Sequence, residues 1–396
     1  MTKLNNSNDA CTSVVREIMT EFGDLTGLSS ADKIPRRYLW TDAFAVCNFL
    51  ELYRQMSDER YKHLALRLVD QVHNTLGRHR EDDPRTGWIS GLDEQDGKMH
   101  PTKGGLRIGK KMNERRSGDP FDERLEWDRD GQYYHYLTKW MHALNRVSRV
   151  TEDSTYNRWA MELAKTAHAT FTYVPSSGGQ KRMYWKMSID LSHPLVQSMG
   201  HHDPLDGFIT YNQLQATAAK DSDKSTWLDL NAEISDAAAI CEGKSWATDD
   251  PLGIGGLLCD ACRVAQLIIN ENVEQTDLLE ALLDSSLLGL ESYERQNPLE
   301  LPADYRLAFR EVGLSIGLRA VEKLGKLIEE PPHLFNKKHP LHSRIETLMR
   351  YAPLIEIIVM FWLEQKNRQA SSWTAHRDIN MVMLTTSLSP DGYLTL

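Results

Sequence analysis

The 396-residue sequence predicts an all-α fold, an (α/α)6 barrel of six helical hairpins with long loops and a small β-hairpin on one face. Two observations carry this. One supersecondary unit recurs along the chain: a helix apolar on nearly every side, a short polar turn, then an amphipathic helix, which is the signature of a closed or stacked helical array. The links are also unequal. Turns out of the buried helices are short, whereas links into them include the two longest in the chain, 77–126 and 172–202.

Residues 11–22 form an amphipathic helix. Thr41 or Asp42 caps residues 43–55, where Phe44, Ala45, Val46, Cys47, Phe49 and Leu50 leave little polar surface, so that helix is buried. The turn Ser57-Asp58-Glu59 leads into an amphipathic helix over 61–76. The same pair recurs as 131–150 with 156–171, 205–219 with 226–241, 252–269 with 278–293, and 304–324 with 342–366, the last kinked at Pro353. A final helix over 375–388 pairs with the first, which makes residues 1–396 a single domain. Strand signal is confined to 182–190, whose alternation predicts a hairpin within a loop.

A net charge of −10 argues against general nucleic-acid binding. No run of about 20 apolar residues stands out as a membrane span, and residues 1–9 lack the apolar core of a signal peptide. Five cysteines, mostly in apolar helical runs, fit a reducing compartment, so a soluble cytoplasmic protein is expected. Cys259 and Cys262 form a C-x-x-C inside a helical pattern and read as small core residues. No cofactor and no metal are expected, and the oligomeric state is left open.

The densest chemistry lies in Glu126-Trp127-Asp128-Arg129-Asp130-Gly131-Gln132-Tyr133, directly before an apolar helical run. Asp130 or Gly131 reads as the N-cap, which places acids at the positive end of a helix dipole. The other buried helices also open with acids: Asp42, Asp203 with Asp206, Asp249 with Asp250, and Asp304. Trp40, Trp88, Trp127, Tyr133, Trp185, Trp246 and Tyr305 accompany them. Carboxylates among flat rings suit sugars, whose C–H faces stack while their hydroxyls need acceptors. Glycoside hydrolysis needs two carboxyl groups, one protonated and one ionised.

His100, His135, His201 and His202 form a second constellation in or beside the same loops. Adjacent His201 and His202 point apart, and no helical H-x-x-x-H accompanies them, so substrate binding is expected ahead of metal binding. Residues 103–124 carry Lys103, Arg107, Lys110, Lys111, Arg115, Arg116 and Arg124, which either clamp an anionic substrate or neutralise the acids. Gly104 to Lys110 is not a phosphate loop, since no strand precedes it and no helix follows.

With the hairpins, acid-tipped helices and aromatic loops together, the chain resembles the six-hairpin glycosidase superfamily. Residues 36–42, 126–132 and 202–207 look like motifs of a bacterial and archaeal subgroup. The resemblance implies a carbohydrate-active enzyme without a redox cofactor, commonly an inverting hydrolase. The similar unsaturated glucuronyl hydrolases use paired aspartates on helix tips, and the N-acylglucosamine 2-epimerases use histidines on the same barrel. The expected function is therefore a glycoside hydrolase acting on a short oligosaccharide, neutral or anionic. Asp128 or Asp130 is one catalytic carboxyl group, with Asp203 or Asp206 as its partner. Trp40, Trp127 and Trp185 are expected to stack on the sugar, Asp42 to bind hydroxyls and Arg107 to hold an acidic group, with Trp88, Glu126, Tyr133, His201 and His202 completing the binding site. The alternatives are a sugar epimerase or isomerase using His201 or His202, and a non-catalytic sugar-binding barrel.

Overall fold

The computed structural model describes residues 2–30, 32–116, 118–220, 228–271, 273–329, 335 and 340–396, with side chains from Cys11 onward. The fold is all-α, with a few short strands. In chain order the helices are α1 (Thr2–Leu25), α2 (Leu39–Met56), α3 (Glu59–Leu76), α4 (Glu94–Met99), α5 (Glu123–Asp128), α6 (Tyr134–Thr151), α7 (Ser154–Phe171), α8 (Asp203–Ala218) and α9 (Asn231–Cys241). They continue with α10 (Pro251–Glu271), α11 (Thr276–Gln296), α12 (Ala308–Glu329), α13 (Pro340–Met349) and α14 (Pro353–Leu363). The short helices α15 (Gln365–Arg368) and α16 (Ser371–Thr374), then α17 (Arg377–Leu388) and α18 (Asp391–Leu394), complete the chain. Two compact units result: Gly23–Gly243, and Met1–Phe22 together with Lys244–Leu396.

In the first unit α2, α6 and α8 pack on one another in sequence, and each pairs with the helix that follows it, α3, α7 or α9. Leu39 to Leu52 of α2 is buried without interruption, as its nearly all-apolar sequence requires. Ser57 (φ 54°) and Glu152 (φ 58°) end α2 and α6 in the left-handed conformation, which makes the abrupt reversals possible. Asp58 and Asp153 then cap α3 and α7 by accepting from Arg60 N and Thr155 N. The helix start expected at 226 lies outside the described residues.

In the second unit α10 packs on α11 and α12, and α12 on α13, α14 and α17. The Cys11 thiol donates to the Leu388 carbonyl at 3.4 Å and Arg377 pairs with Glu21, which joins α1 to α17. Two expectations are corrected here. Helix α10 is long and apolar enough to cross a membrane by length and composition, contrary to the sequence reading; 78% of its most apolar window is buried, and its Asp260 pairs with Arg263 at 3.2 Å. This is how the core helix of a folded unit behaves. Pro353 does not kink one long helix over 342–366. It opens α14 as a separate helix, because proline at the first helical position gives up no hydrogen bond.

The strand reading also changes. Residues 182–190 do not fold on themselves. Met183 and Arg182 pair with Thr172 and Tyr173, whereas Lys186 and Met187 lie between β1 (Gln132–Tyr133) and Pro194–Val196. The strands are therefore β1, β2 (Thr172–Tyr173), β3 (Arg182–Met183), β4 (Lys186–Met187) and β5 (Pro194–Val196), in a sheet ordered β1-β4-β5 and a pair β2-β3. Gly131 makes the first sheet possible. It sits at φ 146°, and a Cβ there would lie 2.7 Å from the Met187 carbonyl oxygen.

One buried histidine sets a pH dependence for this core. His73 accepts from Trp140 Nε1 at 3.2 Å, and burial lowers its pKa to about 3. A depressed histidine contributes stability that is present above its unfolded pKa of about 6.5 and is lost as pH falls towards the folded value. Urea unfolding at pH 7.5 and pH 4.5 should therefore differ in midpoint, and His73→Gln should shrink that difference.

Candidate active site

Helix α8 places two carboxyl groups on one turn. Pro204 lies in its first turn, where the missing N–H loses no bond, and Asp203 and Asp206 are both in that turn. Asp206 accepts from the Thr138 hydroxyl at 2.5 Å and from the Lys139 ammonium at 2.7 Å, both on α6. Asp203 is only 5% exposed. Its Oδ1 lies 3.7 Å from His135 Nδ1, and its Oδ2 is buried with no hydrogen-bond partner. Burial first, and then the Asp206 charge, raise the Asp203 pKa to about 7, against the opposing pull of Lys139. Gly200 makes room for this carboxyl group, since a Cβ there would sit 2.3 Å from Asp203 Oδ2.

His135 opens α6 within a group of rings. It stacks on Tyr133 at 5.4 Å, lies nearly parallel to Trp185 at 6.3 Å and meets Tyr136 and Trp40 edge-on at 4.9 and 6.0 Å. Its side chain keeps 26% exposure. Burial, with smaller contributions from Lys139 and Lys110, lowers its pKa to about 3, so the ring is neutral at pH 7. The β1–β4 pairing builds the wall: Tyr133 is opposite Lys186, which brings Trp185 to 5.0 Å from Tyr133. Trp127 extends it, 52% exposed and edge-on to Trp185 at 5.0 Å. Trp40 is buried, and its Nε1 has no hydrogen-bond partner.

The stretch 126–132 is organised differently from the sequence expectation. The N-cap of α6 is Tyr133, not Asp130 or Gly131, and no side chain caps that helix. Asp130 precedes it in an extended segment. Its Oδ2 accepts from Arg107 at 2.6 Å and Arg80 at 3.3 Å, and its Oδ1 from Gly109 N at 3.0 Å and Gly131 N at 3.1 Å. Arg107 is fully engaged as well, donating to the Arg78 and Thr75 carbonyls at 2.7 Å each. Glu126 is buried against Arg115 at 2.8 Å and Lys186 at 3.4 Å. Asp128 ends the short helix α5 and is exposed.

The other expected residues scatter. Asp42 accepts from Tyr38 N at 2.9 Å and Arg37 at 3.4 Å, so it ties down the start of α2. Trp88 is buried under Gly97 of α4 with the Arg78 guanidinium 4.2 Å from its ring. His201 is exposed and His202 half-buried, and their rings lie 4.6 Å from each other instead of pointing apart as expected; His100 binds Glu162 at 2.6 Å. In the second unit, Asp249 accepts from Gln296, Asp250 pairs with Arg310, and Asp304 accepts from Ser371. Among the described residues no group of three or more His, Cys, Asp or Glu is placed to hold a metal ion. A cleft of about 770 Å³ near Asp83, Arg85, Glu114 and His193 is not lined by Asp203, Asp206 or His135. Its Arg85 is paired with Asp83, Glu114 and Asp190.

Sequence reasoning assigned no role to Thr138, Lys139 or Tyr136, and it placed His135 only in a general histidine group. A helical signal was present: His135 and Lys139 are four residues apart and share a face of α6.

No protein-family model and no curated protein sequence matches the chain. One matching solved structure is a cellobiose 2-epimerase from Bacillus thermoamylovorans B4167. The TM-score is 0.42 and the identity 11%, over 80% of this chain and 76% of that one. A likeness so distant carries no functional argument.

Proposed function

We propose that the unit Gly23–Gly243 holds the active site of a carbohydrate-active enzyme, and first of all a glycoside hydrolase with Asp203 as its general acid. The observation that carries this is a carboxyl group with a pKa raised to about 7 and an unpartnered Oδ2, set beside a wall of aromatic rings. A carboxylic acid still protonated near neutrality is what the departing glycosidic oxygen requires. Asp203 gives its proton to that oxygen as the bond to the anomeric carbon breaks. A water then adds to the carbon and passes its proton to a carboxylate, a part we assign to exposed Asp128. Asp206, engaged by Thr138 and Lys139, is a positioning residue whose charge adds to burial in raising the Asp203 pKa. Asp130, Arg107 and Asp42 hold backbone and loops in this reading. The five cysteines, mostly in apolar helical runs, fit a reducing, cytoplasmic setting.

The deciding experiment is NMR-monitored incubation with neutral and uronate-containing oligosaccharides. New reducing-end signals are the expected result, and their absence across the panel would sink the hydrolase reading. A second reading has its own support, the neutral His135 imidazole 3.7 Å from Asp203. Such a pair is suited to moving a proton beside the carbonyl of an open-chain sugar. Deuterium incorporation into a free sugar, without cleavage, would identify an epimerase or isomerase.

Either reaction uses the ring wall. Trp185→Ala should raise KM about fivefold, because stacking on one aromatic face contributes on the order of 1 kcal/mol. Steady-state kinetics should find kcat changed much less. An unaltered KM would place the sugar away from this wall.

A further inference from the structure

The basic loop 103–124 poses a question that the acid pair does not answer. Arg107 gives its donors to Asp130 and two carbonyls, contrary to the anion-holding role expected of it, and Arg115 binds Glu126, so both neutralise acids of the protein. Lys110 differs. It is half-buried, its ammonium reaches the Trp127 carbonyl and the Tyr133 hydroxyl, and it lies 5.2 and 5.8 Å from the Tyr133 and Trp127 ring centroids. No carboxylate lies within ion-pair distance of it among the described residues. Its hydrogen-bond partners are thus neutral groups, and its pKa is lowered to about 8 by burial first and by Lys186 next, against the opposing pull of Asp128, Asp130 and Glu126.

Tyr133 connects this lysine to the proposed chemistry, since the ring that Lys110 faces stacks on His135, which in turn lies beside Asp203. Lys110 also acts electrostatically on His135 directly. Lys139 is ion-paired with Asp206 at 2.7 Å, whereas Lys110 feels Asp128, Asp130 and Glu126 only from beyond ion-pair distance. A cation with no carboxylate in direct contact, held against two rings beside a sugar-type wall, can take an anionic group of a ligand as its ion-pair partner.

We propose that Lys110 reads a negative charge on the sugar, a carboxylate or a phosphate ester, and so sets a preference for anionic over neutral substrates. The proposal rests on the sugar-site reading above.

The test is a ligand-observed NMR titration of the full-length protein at low salt with glucose, glucuronate and glucose 6-phosphate. One of the two anionic sugars should bind about tenfold to a hundredfold more tightly than glucose, and which one does so separates a carboxylate from a phosphate source. In Lys110→Met that ratio should fall to about one, while Lys110→Arg, which keeps the charge, should retain it. Equal affinity of the native protein for all three sugars would overturn the inference and leave the sugar site standing. A preference that survives intact in Lys110→Met would likewise overturn it. Binding of none of the three would overturn the site reading itself.

Discussion

Asp203→Asn is expected to lower turnover by two to four orders of magnitude while making the folded protein more stable at pH 8, as removal of a general acid of this kind predicts. The two effects share one cause. Burial and the Asp206 charge raise the Asp203 pKa from 3.8 to about 7. A group raised on folding contributes stability that is fully present below its unfolded pKa and is lost as pH rises through the folded value. Above about pH 7 the native protein therefore carries a buried, ionised carboxylate, at a cost on the order of 4 kcal/mol. Asparagine resembles the protonated acid and has no such penalty. Thermal unfolding should place the variant above the native protein at pH 8, with the gap closing towards pH 4. The native kcat should decline above about pH 7 as the acid ionises. A variant that loses turnover with no pH-dependent gain in stability would mean that Asp203 is not a buried acid. One that keeps turnover would remove it from the chemistry.

Much of this architecture was legible in the letters, and the reasons are local. The uninterrupted apolar run in α2, the polar turns at Ser57 and Glu152, and the acids opening α8 are each written within a few residues. Pairing was not legible. Asp130 and Arg107 looked like two functional residues 23 positions apart, yet each is the other's partner, joined through an irregular loop that no periodicity describes. The three-stranded sheet escaped notice because β1 is two residues long and pairs with a segment more than fifty positions away. The same sheet brings Tyr133 and Trp185 together, so the aromatic wall depended on a contact without a sequence signature. His135 was visible only as one histidine among several. Its neighbours, not its spacing, give it a place beside Asp203.

Asp130→Ala should separate structure from chemistry in the stretch that looked most catalytic. Replacement leaves Arg107 and Arg80 without their common carboxylate, and the amides of Gly109 and Gly131 without an acceptor. Breaking a buried ion pair from one side costs about 3–5 kcal/mol, because the remaining charge stays buried and uncompensated. Gly109 and Gly131 hold positive φ angles, 94° and 146°, and both amides point at one oxygen, so the loss should also loosen the loop and the start of β1. Arg107→Ala should destabilise by a similar amount, and the double variant by much less than the sum, since both single changes break the same contact. Chemical denaturation of the four proteins measures this coupling directly. Turnover, expressed per molecule still folded, should fall far less in Asp130→Ala than in Asp203→Asn. If instead Asp130→Ala unfolds like the native protein and has no activity, the carboxylate acts in the reaction, and the two arginines hold it for that purpose. The contrast between the two aspartates follows from their partners: Asp130 is surrounded by four donors, whereas Asp203 lies against a second carboxylate and a neutral imidazole, with one oxygen unclaimed.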